Sequence, residues 1–372
     1  MFRSIFLSRA DDKSVTATLR DTTTDDDLGP GDALIDVAWS GINYKDGMAI
    51  AGDRGVMRAS ELIPGIDLVG TIAQIDGQSA PGSAVSSGSA VDSGSAVDSG
   101  SAVGSGSAVD SGLVVDLSQV DVEGLRVGDA VLVNGWGIGE THNGGLSERA
   151  RVNREWLVPL PSAISPRRAA AIGTAGFTAA LSVLALERGG IGDGEVLVTG
   201  ASGGVGSIAI ALLAAAGHRV VASSGRPEHR DYLLGLGATD VIARDELEAA
   251  GRPLQSQRWA GVIDSVGGQT LATALAQTQY GATVAACGMV GGVELPATVL
   301  PFILRGIHLA GINSVECPRE LRLAAWDRLA RDLDLDLLDS LTTEIALGDA
   351  IDAGGRILAG TLHGRTVVNV RA

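Results

Sequence analysis

The chain has 372 residues, 45% of them hydrophobic and 19% charged, with a formal net charge of -16. That is enough apolar material for two domains of ordinary size. The acidic field works against nucleic acid and anionic membrane, and with Lys13 and Lys45 the only lysines the sequence shows no basic patch to offset it.

Two cysteines, Cys287 and Cys317, are too few for a disulfide framework or a cluster of zinc-binding thiolates, and they read as buried small hydrophobes. The apolar stretch at the N-terminus is too short for a secretory signal. The longest strongly apolar run, 208–216, is about half of what crosses a bilayer, so the expected compartment is the cytoplasm.

In chain order, residues 32–38, 68–75, 131–134 and 148–152 are short β-branched runs bounded by Gly, Pro and Asp, and they predict strands of an antiparallel or mixed β domain. From residue 195 strands alternate with helical stretches. Strands are expected at 196–199, 219–223, 241–242, 261–265, 283–287 and 308–312, with helices at 207–216, 228–236 and 269–277 between them. This alternation is the pattern of a doubly wound parallel α/β sheet. After a helix at 320–332, the tail (342–345, 351–358, 366–370) returns to strands around one helix and rejoins the first domain. The expected division is 1–160, a β-rich catalytic domain; 161–335, a nucleotide-binding Rossmann domain; and 336–372, a return to the first.

Residues 82–111 interrupt the first domain with five tandem hexapeptides of the form GSAVDS. Five units fall short of a stable β-solenoid, and the isolated Asp92, Asp98 and Asp110 lack the dense carboxylates of a calcium loop. The segment reads as a Gly/Ser-rich insertion.

The strongest chemical signal is the strand-to-helix turn Gly200-Ala201-Ser202-Gly203-Gly204-Val205-Gly206. Its glycines let backbone approach a pyrophosphate at a helix N-terminus. The second strand ends Ser223-Ser224-Gly225-Arg226, with no carboxylate for the ribose hydroxyls; a guanidinium there suits the 2′-phosphate of NADPH, although a surface arginine after a strand would look the same. No Cys/His zinc set can be assembled from two late cysteines and five scattered histidines. A hydride acceptor must then already be electrophilic, such as a quinone or an enone.

Several stretches together resemble the acryloyl-CoA reductase subfamily of the zinc-free, quinone oxidoreductase-like medium-chain dehydrogenase/reductases. They are Asn43-Tyr44-Lys45-Asp46, Pro64-Gly65-Ile66-Asp67, Gly135-Trp136-Gly137-Ile138-Gly139, Ala171-Ile172-Gly173-Thr174-Ala175-Gly176, the glycine turn, and Leu300-Pro301-Phe302-Ile303-Leu304-Arg305. The resemblance covers the chain apart from the repeat and implies a GroES-like first domain, a homodimer, and NADPH-dependent reduction of acryloyl-CoA to propionyl-CoA. It also implies that Asn43 and Asp67 lie beside the nicotinamide, and that Tyr44, Thr174 and Asn313 line the cofactor.

In that chemistry Asn43 is expected to donate to the developing enolate, and Tyr44 or water to protonate the α-carbon. Asp67 either orients other groups or transfers a proton with a raised pKa. Both residues also admit local roles, Asn43 as a helix cap and Asp67 in a turn. Lys45, Arg54 and Arg58 are candidate partners for CoA phosphates. A general quinone or enone reductase, or an NADPH-binding protein without turnover, remains an alternative.

Overall fold

The computed structural model describes residues 1–77 and 124–372; the repeat 82–111 lies outside the described residues. The first part of the chain runs β1 (Phe2–Arg9), β2 (Val15–Thr23), β3 (Ala33–Gly41), α1 (Tyr44–Ile50), β4 (Glu61–Leu62), β5 (Asp67–Ile75), β6 (Ala130–Asn134), β7 (Arg149–Val152) and β8 (Val158–Pro159). Next come α2 (Pro166–Gly189), β9 (Glu195–Val198), α3 (Gly204–Ala215), β10 (Arg219–Ser224), α4 (Arg230–Gly235), β11 (Asp240–Ala243), α5 (Asp245–Glu248), β12 (Trp259–Asp264), α6 (Gly268–Gln277), β13 (Thr283–Ala286), α7 (Leu300–Arg305) and β14 (His308–Gly311). The chain closes with α8 (Arg319–Asp332), α9 (Leu335–Ser340), β15 (Thr342–Ala346), α10 (Ala350–Leu358) and β16 (Arg365–Asn369).

The parallel sheet has the order β11-β10-β9-β12-β13-β14. Its strand order reverses between β9 and β12, the switch point at which open α/β sheets bind ligands. Its central strands β9 and β12 are almost continuously apolar and buried, as coverage of both faces by helices requires. A second sheet, β15-β16-β3-β5-β6-β8 with β7 on β3, takes strands from both ends of the chain. β16 pairs antiparallel with β3, Val367 opposite Gly41, so the last strand is built into the same sheet as the early strands.

An N-terminal hairpin, β1 with β2, has no counterpart in the elements expected from sequence. Its second strand alternates polar residues over a mostly exposed face, which leaves no apolar run to detect. Helix α2 was equally silent, because its Ala-rich length is apolar on every side and lacks an amphipathic stripe. It is long and apolar enough to cross a membrane, yet 83% of its most apolar stretch is buried inside the protein. It packs between the two sheets as the central helix.

α2 is broken at Gly173, whose φ of 49° and ψ of -160° are non-helical. That conformation is open essentially to glycine alone. An added Cβ there would meet Asp67 Oδ2 at 2.4 Å and an Arg365 nitrogen at 2.9 Å. The break thus brings the start of the second helical segment onto residues of the other sheet.

Candidate active site

Five charged or amide side chains, Asn43, Asp46, Asp67, Asn134 and Arg365, meet at this break. Asp67 opens β5 and is fully buried. Its Oδ1 accepts from the backbone N–H and the hydroxyl of Thr174, both at 2.7 Å, and from the amide of Asn134 at the end of β6. Its Oδ2 accepts from Asn43 Nδ2 at 2.7 Å. With both oxygens so engaged, the Asp67 side chain caps the second segment of α2.

Asn43 precedes α1, and Asp46 reaches back to its backbone N–H at 2.7 Å, the reciprocal half of a capping box. The local reading of Asn43 is therefore realised, and its side chain has further partners. Nδ2 donates to Asp67 and, at 3.2 Å, to Asp46; Oδ1 accepts from both terminal nitrogens of Arg365 at 3.3 Å. Each N–H of the amide thus faces a carboxylate, and the bond to Asp46 is the longer of the two.

Two charged members of the cluster were not singled out from the sequence. Asp46 is completely buried, and desolvation, together with the nearby Asp67 charge, pushes its pKa up to about 7. Its hydrogen bonds from Asn43 and Ile66 oppose that rise. Arg365, the first residue of β16, donates through Nε to Ala171 O and supplies the positive charge between the two carboxylates. Burial presses its pKa down while Asp67 and Asp46 hold it up. Its side chain also lies against Gly204, the first residue of α3. Asp46 was visible as the fourth residue of the Asn-Tyr-Lys-Asp stretch; Arg365, at the far end of the chain, carried no local signal.

The nucleotide side is built by glycines. Gly200 sits at φ 58°, and a Cβ on it would fall 2.3 Å from Ser265 Oγ; one on Gly206 would fall 2.5 Å from Gly200 O. No side chain caps α3 at Gly203, so the N–H groups of Gly204, Val205 and Gly206 have no intrahelical acceptor. Ser202 is half-buried beside them. At the end of β10, Ser223 Oγ is buried without a partner, and Ser224 Oγ accepts from Arg226 N. Arg226 donates to Gly360 O, a contact that ties this loop to the segment before β16. An uncapped helix start, close-packed glycines, an orphaned hydroxyl and an arginine fit a phosphorylated dinucleotide.

The remaining expected residues are dispersed. Tyr44 begins α1 with its side chain 44% exposed. Asn313 is exposed, and its Oδ1 accepts from Val315 N and Glu316 N, shaping a turn against which Gly135 and Trp136 pack. Lys45 pairs with Glu140 at 2.8 Å, which occupies the charge expected to meet a CoA phosphate. Arg54 and Arg58 are exposed. An open hollow of about 620 Å³ lies elsewhere, around Asp36, Glu148, Arg149 and Arg371, but Arg149 is already paired with Asp25 and Asp36 and Arg371 faces Asp36. Among the described residues no group of three or more His, Cys, Asp and Glu side chains is arranged to hold a metal ion.

Residues 29–162 match the alcohol dehydrogenase GroES-like domain, and residues 204–331 match the zinc-binding dehydrogenase family. The acrylyl-CoA reductase AcuI of Ruegeria pomeroyi is 42% identical over 375 residues, covering 100% of both chains. The chain belongs to the medium-chain dehydrogenase/reductases, in the branch that holds the acrylyl-CoA reductases and their quinone oxidoreductase-like relatives. The putative quinone oxidoreductase YhfP of Bacillus subtilis, 41% identical over 97% of this chain and 96% of its own, falls in the same branch. Among solved structures, the YhdH oxidoreductase of Salmonella enterica in complex with NADP aligns with a TM-score of 0.84 at 42% identity, covering 99% of both chains. The NAD-bound structure of Bacillus subtilis YhfP aligns with a TM-score of 0.84 at 38% identity, also over 99% of both.

Proposed function

We propose that this reductase uses NADPH to reduce the carbon–carbon double bond of acryloyl-CoA, giving propionyl-CoA. The observation that carries the reading is the buried Asn43, Asp46, Asp67 and Arg365 cluster set against the uncapped start of α3, where the Arg365 side chain lies against Gly204. Full-length identity of 42% to an acrylyl-CoA reductase supports the choice of acceptor.

When bound, NADPH supplies the hydride. The chain's own residues position and polarise. Gly200 to Gly206 and the α3 N-terminus hold the pyrophosphate, with Ser202 and Val205 in the same turn; Ser223, Ser224 and Arg226 take the adenosine end; Thr174, Asn313 and Tyr44 line the cofactor. Asp67, with donors on both of its oxygens, orients Asn43 and Thr174. Of the two Asn43 N–H bonds, the 3.2 Å one to Asp46 is the cheaper to release, so it is the one offered to the thioester oxygen as negative charge builds there. Tyr44 or water protonates the α-carbon.

The working unit is a homodimer in the cytoplasm. β14 closes one edge of the parallel sheet, and exposed Val293, Val299, Ile303, Leu304 and Leu309 lie on and before it. An unpaired edge beside an apolar patch favours pairing with a second copy. The test of the activity is to compare rates of NADPH oxidation with acryloyl-CoA, crotonyl-CoA and benzoquinone. Acryloyl-CoA should give the highest kcat/KM, and a clear preference for benzoquinone would replace this reading with a quinone reductase.

A further inference from the structure

The adenosine end of the site contains more than the arginine. His229 closes the short turn Pro227–His229 after β10; it is half-buried, and its Nδ1 is buried with no hydrogen-bond partner. The His363 ring, from the segment between α10 and β16, lies 5.7 Å away, and Tyr232 of α4 packs edge-on at 6.1 Å. Arg226 is bonded to Gly360 in that same segment, where a Cβ would fall 3.0 Å from the guanidinium. Arg244 crosses over Gly225 from the end of β11. The charged groups bearing on His229 are Arg226 and His363 on the positive side, with Glu228 opposing them.

We infer that His229 and His363 form, with Arg226, a protonation-dependent clamp on the 2′-phosphate, so that preference for NADPH over NADH strengthens as pH falls. The inference rests on the NADPH reading above. An orphaned imidazole nitrogen facing a second imidazole and a guanidinium has too much positive potential to hold a proton unaided. Burial and then Arg226 keep His229 below the usual imidazole range. An arriving dianion reverses the sign of the local field, so the ring takes up a proton and donates to the phosphate. The segment 359–364 thereby becomes part of cofactor recognition, although it belongs to the connection leading back into the other sheet.

Proton uptake is the diagnostic, because the phosphate's own titration, near pH 6, runs the other way: a cationic site drives its proton off. NADPH and NADH binding are measured by calorimetry near pH 7 in two buffers of different ionisation enthalpy, with His363→Asn and His229→Phe alongside the wild type. NADPH binding to the wild type should take up protons and NADH binding should not. His363→Asn, an exposed position that leaves packing alone, should reduce the uptake and weaken NADPH about five- to tenfold near pH 6.5 but less than about twofold near pH 8.5, with NADH unchanged. NADPH preference without proton uptake, or uptake in both variants equal to that of the wild type, overturns the histidine clamp and leaves the cofactor reading standing. Equal affinity of the wild type for NADPH and NADH overturns both.

Discussion

Replacing Gly173 by Ala perturbs the site at a single point. The new Cβ falls 2.4 Å from Asp67 Oδ2 and 2.9 Å from an Arg365 nitrogen, about 1 Å inside ordinary contact. The backbone at φ 49° and ψ -160° adds strain of about 1–3 kcal/mol for a non-glycine residue. The clash is relieved only by moving Asp67, which breaks its bonds to Thr174 and Asn43, or by moving Arg365; disrupting such a buried charge set costs about 3–5 kcal/mol. The combined loss of about 4–8 kcal/mol is comparable with the whole stability of a typical domain. Urea denaturation of Gly173→Ala should show that loss, or no folded protein, while Gly192→Ala, where a Cβ meets nothing within 4 Å, should stay within about 0.5 kcal/mol of the wild type. A shift below about 1 kcal/mol for Gly173→Ala would refute the close approach of Asp67 and Arg365 at the break in α2.

Arg226→Ala should weaken NADPH by about one to two decades, the worth of roughly 1.5–3 kcal/mol of charge-assisted bonding, and leave NADH binding nearly unchanged when both are titrated by fluorescence. Equal weakening of the two would make Arg226 a tie to Gly360 alone. Asp46, with its pKa pushed up to about 7, binds its proton more tightly folded than unfolded. Its contribution to stability is therefore full below the unfolded value near 3.8 and is lost as pH rises through about 7. Urea midpoints should fall as pH rises from about 4 to about 7 and level off above that, and Asp46→Asn should flatten that fall; an unaltered slope would mean that Asp46 is not the group titrating. Excising residues 82–111 should leave reductase activity intact, because every matched motif lies outside them, and shortening the 48 residues from Gly77 to Gly124 to 18 alters closure entropy by only about 0.9 kcal/mol. Loss of activity on excision would give the repeat a part in the site.

The parallel sheet was legible because its strands and helices alternate in hydrophobic period and its glycine turn falls between β9 and α3. The antiparallel hairpin and α2 were not: β2 presents a mostly polar exposed face, and α2 is apolar all round, so neither carries the periodicity that marks an element. In the site, Asn43 and Asp67 stood out as polar residues inside quoted stretches, and the structure puts them in hydrogen-bond contact. What the sequence hid was the partner that completes them. Arg365 lies 322 residues from Asn43 and reaches it only because β16 pairs with β3, a long-range pairing that no local pattern encodes. Sequence separation likewise concealed the approach of His363 to His229.

The central claim, hydride delivery to the β-carbon of an acryloyl thioester, is tested most directly by isotope transfer. NADPH carrying deuterium at C4 on the transferred face is incubated with enzyme and acryloyl-CoA in ordinary water, and the product is analysed by mass spectrometry and NMR. The account expects propionyl-CoA with one deuterium at C3 and a solvent proton at C2. Deuterium at C2, unlabelled propionyl-CoA, or no reduction of acryloyl-CoA under conditions where NADPH binds would contradict it.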